Sequence, residues 1–157
     1  MSRHQTVEVQ ASSTASPEEV WRLLEDVTTW PAWARFDEAA YERTGSPAPH
    51  GVGAVRKMRA GPLHARDTVV HFEPPRQLSY TYVGSLPVDD YRADVTLTPY
   101  DGGTRITWHA EFVARRPLTG RLMRAVIAKV LDDVASRLSR AAALPTTGVH
   151  EMASADE

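Results

Sequence analysis

Apolar residues at Leu118, Leu122, Met123, Val126, Ile127, Val130, Leu131, Val134 and Leu138 recur every three or four positions, the longest such pattern in the chain. That spacing winds one broad apolar stripe along an α-helix over 118–144 and leaves Arg121, Asp132, Asp133 and Ser136 on the other side. Pro117 stands just before it, where a missing N–H costs little, and Lys129/Asp133 and Asp133/Arg137 lie one turn apart on the outer surface. About 27 residues make a rod of roughly 40 Å, which needs a wide apolar partner. The period of the preceding segments identifies that partner as a sheet.

Val7, Val9 and Ala11 alternate in a first strand over 6–13. Ser16-Pro17-Glu18-Glu19 then places a capping serine, a proline at the first helical position and a glutamate three residues after the cap, and Val20, Trp21, Leu24 and Val27 share a face of a helix over 17–27. Trp30-Pro31-Ala32-Trp33 interrupts it and predicts a second short helix through Ala34. Strands follow over 36–44, 53–60, 63–73, 77–84, 91–100 and 104–114. Gly45-Ser46-Pro47, Gly61-Pro62, Pro74-Pro75, Leu86-Pro87 and Asp101-Gly102-Gly103 mark the turns between them. The order predicts an α+β domain over 1–144, a seven-stranded antiparallel sheet curved around the C-terminal helix. The small, polar residues 145–157 are expected to be a disordered tail.

Composition narrows the function by exclusion. The chain has 157 residues, 42% of them hydrophobic and 24% charged, enough for one domain with a substantial core. A net charge of −2 makes no electrostatic case for nucleic acid or for an anionic membrane, the opening residues lack the apolar core of a signal peptide, and no segment has the length and apolarity of a membrane span. The absence of cysteine removes disulfides, thiolate catalysis and cysteine-held metals, and accords with a cytoplasmic location. His64, His71 and His109 show no ligand spacing on a shared face, so no metal or cofactor site is expected. Gly51-Val52-Gly53 is followed by a strand rather than a helix N-terminus, which makes it a tight turn rather than a phosphate cradle; His50 beside it has no identifiable partner.

Ala15-Ser16-Pro17-Glu18-Glu19-Val20-Trp21, Trp30-Pro31-Ala32-Trp33, Gly51-Val52-Gly53, the run from Phe72 to Tyr80 and the run from Gly102 to Trp108 together resemble the START-like (SRPBCC, Bet v 1-like) superfamily, and within it the bacterial polyketide cyclase/dehydrase and lipid-transport proteins. The resemblance spans about residues 6–143. It implies a helix-grip fold, two short helices after the first strand and a deep cavity between sheet and long helix, a site that different members use for lipids, sterols, plant hormones, aromatic polyketides or co-chaperone contacts. Fold alone does not choose among these.

Strand parity gives a list of inward residues. In the last strand Thr104, Ile106, Trp108, Ala110 and Phe112 face in, which turns His109 to solvent; in the two strands before it Leu78, Tyr80 and Tyr82, then Tyr91, Ala93, Val95 and Leu97 do so. The strand over 63–73 carries two conflicting parities, Asp67 with Val69 and Val70 with Phe72. A β-bulge between them would reconcile both, and the resemblance favours Asp67 inside, along with Arg56 and Met58 on the neighbouring strand. Arg56 and Asp67 then either form a buried ion pair, or Arg56 holds the carboxylate, phenolate or enolate of a ligand; an Arg56 on the outer face beside other charges is the bland alternative.

Trp33, Arg56, Met58, Asp67, Tyr80, Tyr82, Val95, Trp108, Phe112, Met123 and Ile127 thus make a candidate lining for a hydrophobic small molecule, aromatic or polycyclic, held by a carrier or sequestering protein. The same residues, aromatics at strand parity above all, would also suit a filled core. A polyketide cyclase or dehydratase would use Asp67 as base, Arg56 as oxyanion partner and Tyr80 or Tyr82 as proton donor. The turns at 61–62 and 86–87 and the start of the long helix are the expected rim of the site.

Overall fold

The computed structural model describes residues 4–144. Its elements run β1 (His4–Ser13), α1 (Pro17–Glu25), a 3-10 turn (Val27–Thr29), α2 (Trp30–Trp33), β2 (Glu38–Arg43), β3 (Val55–Ala60), β4 (Leu63–Glu73), β5 (Gln77–Gly84), β6 (Val88–Tyr100), β7 (Gly103–Ala114) and α3 (Gly120–Ala143). The strands form one antiparallel seven-stranded sheet in the order β1-β7-β6-β5-β4-β3-β2. Consecutive strands β1 and β2 therefore sit at opposite edges, and α1, the 3-10 turn and α2 carry the chain between them. This is the helix-grip arrangement expected from the order of periodicities.

Local chemistry sets the boundaries. The Ser16 side chain accepts from the Glu19 N–H while the Glu19 carboxylate accepts from the Ser16 N–H, the reciprocal capping of α1. That helix stops at Glu25, two residues before the expected end, because extended Asp26 accepts from the Thr28 N–H and starts the 3-10 turn instead. β3 begins at Val55 rather than at Gly53, whose φ of +92° no strand residue adopts. β6 reaches back to Val88, three residues before the expected start, across a register shift at Asp89/Arg92. Asp101 and Gly102, both at positive φ, close the β6–β7 hairpin. The expected tail at 145–157 lies outside the described residues.

The apolar stripe of α3 is narrower than its sequence pattern. Met123, Ile127, Leu131, Val134, Ala135, Leu138 and Ala142 are buried, whereas Leu122 and Val130 are exposed and Leu118 lies before the helix with φ +67°. The helix packs chiefly on β1, then on β7, α1 and α2, so only a side chain pointing at that edge of the sheet finds cover. Its C-terminal half is pinned by the Ser13 hydroxyl, which donates to the Ser139 carbonyl at 2.7 Å. The β4 conflict resolves as a bulge: the register with β5 shifts between Val69 and His71, which turns Asp67 and Val69 inward and exposes Val70.

Candidate functional site

Ala54, Arg56 and Met58 point to the interior, and Arg56 faces Asp67 directly across the β3–β4 ladder. Arg56 Nε donates to Asp67 Oδ1 at 2.6 Å and Nη2 donates to Oδ2 at 3.0 Å, a bidentate pair with the two side chains 0% and 2% exposed. The guanidinium carbon lies 5.0 Å from the ring centroid of Trp30 and 5.4 Å from that of Tyr80, inside cation–π range on two sides. Its remaining nitrogen, Nη1, is buried and has no hydrogen-bond partner among the described residues. Burial works against the charge on Arg56, but the Asp67 carboxylate outweighs it and raises the guanidinium above its ordinary value. Burial likewise pushes the Asp67 carboxyl up, opposed by the charge and hydrogen bonds of Arg56.

A second polar layer continues from Tyr80. Trp108 Nε1 donates to the Tyr80 hydroxyl at 3.1 Å, and Tyr80 and Tyr91 sit with ring centroids 6.5 Å apart. Burial raises the pKa of both tyrosines well above the ordinary value, so each hydroxyl keeps its proton and is a neutral donor at physiological pH. Tyr82 is half-buried at the rim, its hydroxyl accepting from the Leu86 N–H at 3.3 Å.

On the other side of Arg56 stands a pair that sequence reasoning missed. The Tyr41 hydroxyl donates to the Glu25 carbonyl at 3.1 Å and contacts His50 Nδ1, so His50 is not without a partner as its loop position suggested. Which of the two donates across the Tyr41–His50 contact depends on the His50 tautomer. Burial pushes the Tyr41 pKa up to about 12. Parity within β2 puts Tyr41 inside with Ala39, but nothing in the loop sequence announces that His50 folds back on it.

Of the other expected lining residues, Val95, Trp108, Phe112 and Ile127 are fully enclosed and Trp33, Met58 and Met123 nearly so. Phe112 stacks on Tyr91 with a 20° angle between rings, and Trp33 Nε1 donates to the Thr29 hydroxyl at 3.2 Å. These residues pack against one another. An open cavity of about 1080 Å³ lies instead along the β2–β5 end of the sheet, lined from one face by Tyr41, Met58, Ala39, Ala65 and Gly84 and from the other by Ala40, Lys57, Arg66 and Val83; of the eleven expected lining residues it holds Met58. Arg59 pairs with Asp37 and Glu38, and Arg66 with Glu42, around its polar side. Met58 joins the two regions, since it lines this cavity and sits two positions from Arg56 on the same face of β3.

Residues 4–143 match the family model described as polyketide cyclase / dehydrase and lipid transport. Among solved structures, the chain is similar to a START superfamily protein from Mycobacterium smegmatis (12% identity, 87% of this chain and 96% of that one, TM-score 0.75) and to norcoclaurine synthase from Thalictrum flavum (12% identity, 90% and 88%, TM-score 0.71). It is also similar to Ara h 8.0201 (15% identity, 88% and 97%, TM-score 0.70). At these identities the likeness establishes the fold. No curated protein matches the sequence.

Proposed function

We propose that this chain, which belongs to the polyketide cyclase / dehydrase and lipid transport family, binds a flat hydrophobic molecule carrying an oxygen acceptor, with Arg56 Nη1 as its polar anchor. One observation carries this reading: a fully buried guanidinium lies within cation–π range of two aromatic rings with one nitrogen unpartnered among the described residues. An orphaned charged donor in a protein interior is costly, and an acceptor reaching it recovers that cost. Asp67 already balances the charge of Arg56, so the favoured acceptor is a neutral carbonyl or ether oxygen rather than a carboxylate. The ligand would approach from the β2–β5 cavity past Met58 and Tyr41, then lie against Trp30, Tyr80 and Trp108. A carrier or sequestering role fits best. The cyclase or dehydratase reading needs Asp67 as a base, and both its oxygens are held by Arg56.

Native mass spectrometry of freshly purified protein tests for a co-purified molecule. A matched titration with fluorene and 9-fluorenone, which differ by one carbonyl, tests the anchor. Fluorenone should bind more tightly by about 1.5 to 3 kcal/mol, the range for a hydrogen bond to a charged group, and the preference should vanish in the paired variant Arg56→Met/Asp67→Leu. Equal affinities in the native protein would remove Arg56 from the site.

A further inference from the structure

The turn after β7 and the first half of α3 gather charge in a way that the net value of −2 conceals. From Arg115 to Leu131 the sequence carries Arg115, Arg116, Arg121, Arg124 and Lys129 and no acidic residue. Arg115 is neutralised by Asp89 at 3.0 Å; the other four are exposed and carry no ion pair among the described residues. Asp89 on one side and Asp132 on the other bound this basic stretch. Large apolar side chains stand among these charges, with Leu118 95% and Leu122 59% exposed. Leu118 is held there by a backbone φ of +67°, a left-handed conformation unfavourable for a residue with a Cβ. Strain that presents a leucine to water costs stability, and such outliers point to function.

We propose that the turn at 115–119 and the exposed side of α3 up to Lys129 form a docking surface for an anionic lipid bilayer. Interfacial segments combine arginine and lysine with leucine that enters the acyl boundary, and basic side chains near the surface attract acidic headgroups. Duplex nucleic acid would use the same four charges but would leave Leu118 and Leu122 in water. The surface does not depend on the interior site, although a molecule drawn from a bilayer would meet the protein at this end: the Arg115 N–H donates to the Pro87 carbonyl at 3.0 Å, beside the turn that also holds Tyr82.

Co-sedimentation of the full chain with vesicles of phosphatidylcholine alone, and of phosphatidylcholine mixed with phosphatidylserine, tests the proposal. The protein should pellet with the mixed vesicles and stay in solution with the neutral ones. Arg121→Glu/Arg124→Glu should weaken partitioning about tenfold or more, and Leu118→Ser/Leu122→Ser should weaken it at least several-fold, both with unchanged thermal unfolding and unchanged fluorenone binding. Failure to pellet with phosphatidylserine vesicles would overturn the proposal. So would full partitioning by the serine variant, which would reduce the effect to charge alone, or binding to a short DNA duplex that equals vesicle binding and ignores the leucines.

Discussion

Arg56 and Asp67 are the least ordinary residues of the interior because each is tolerated only in the presence of the other. Removing one partner leaves an uncompensated buried charge, so Asp67→Ala should destabilise the protein by about 3–5 kcal/mol, while Arg56→Met/Asp67→Leu should come close to the native value. Urea unfolding of the three proteins decides this; a double variant no more stable than the single one would mean that the pair holds the fold by more than charge compensation. Tyr41 gives a pH signature. Its pKa is pushed up to about 12 by burial, against about 10 in an unfolded chain, so above pH 10 the unfolded chain sheds this proton first. The Tyr41 contribution is therefore intact below about pH 10 and fades as the pH climbs towards 12. Unfolding measured near neutrality and in strong alkali should show a smaller alkaline loss for Tyr41→Phe than for the native chain. Parity made the inward side of Tyr80 and Trp108 legible in the sequence, and the resemblance, not parity, placed Asp67 inside; the choice between ion pair and free anchor for Arg56 was not legible, because it turns on the register that faces Arg56 with Asp67 across β3 and β4.

Among the elements, α3 shows where periodicity stops being informative. A hydrophobic pattern reports which residues can be buried, and the partner surface decides which are. Leu122 and Leu138 belong to the same sequence stripe, yet Leu138 is 0% exposed and Leu122 is 59% exposed because α3 rests on the β1–β7 edge. Leu138→Ala should therefore cost about 2–5 kcal/mol, the usual loss for a buried leucine, and Leu122→Ala within about 0.5 kcal/mol of nothing, as for a surface change. Chemical denaturation reads both, and similar losses at the two positions would mean that the outer stripe is covered. The strands were more legible than the helix because their period of two leaves a single choice of face. Where that choice failed to be consistent, in β4, the inconsistency itself located the bulge.

At the level of the whole molecule the sheet is closed unequally. α3 covers the β1–β7 side, while the β2 edge carries the cavity of about 1080 Å³. The rim expected from the turns in the sequence is joined in the structure by hydrogen bonds: the Ser85 N–H donates to the His64 carbonyl at 3.0 Å, the His64 N–H donates to the Ser85 hydroxyl at 2.9 Å, and the Arg115 N–H ties the start of the α3 turn to Pro87. The β3–β4 turn, the β5–β6 turn and the approach to α3 are thus linked in series. The cavity borders this linkage at His64 and Gly84, so on the proposed route past Met58 and Tyr41 a ligand would have to loosen it, and the interior would then close over the ligand, since the aromatic side chains there fill the space in its absence. Ser85→Ala removes the hydroxyl that accepts from His64 without touching an interior residue. It should speed hydrogen exchange at the His64 amide and raise the association and dissociation rates of fluorenone together, leaving the affinity within about twofold of the native value, because a gate changes rates and not the end states. Stopped-flow binding with amide exchange on the same variant provides the measurement. Native rates in a protein whose His64 amide exchanges faster would show that the ligand passes Met58 and Tyr41 without opening this linkage.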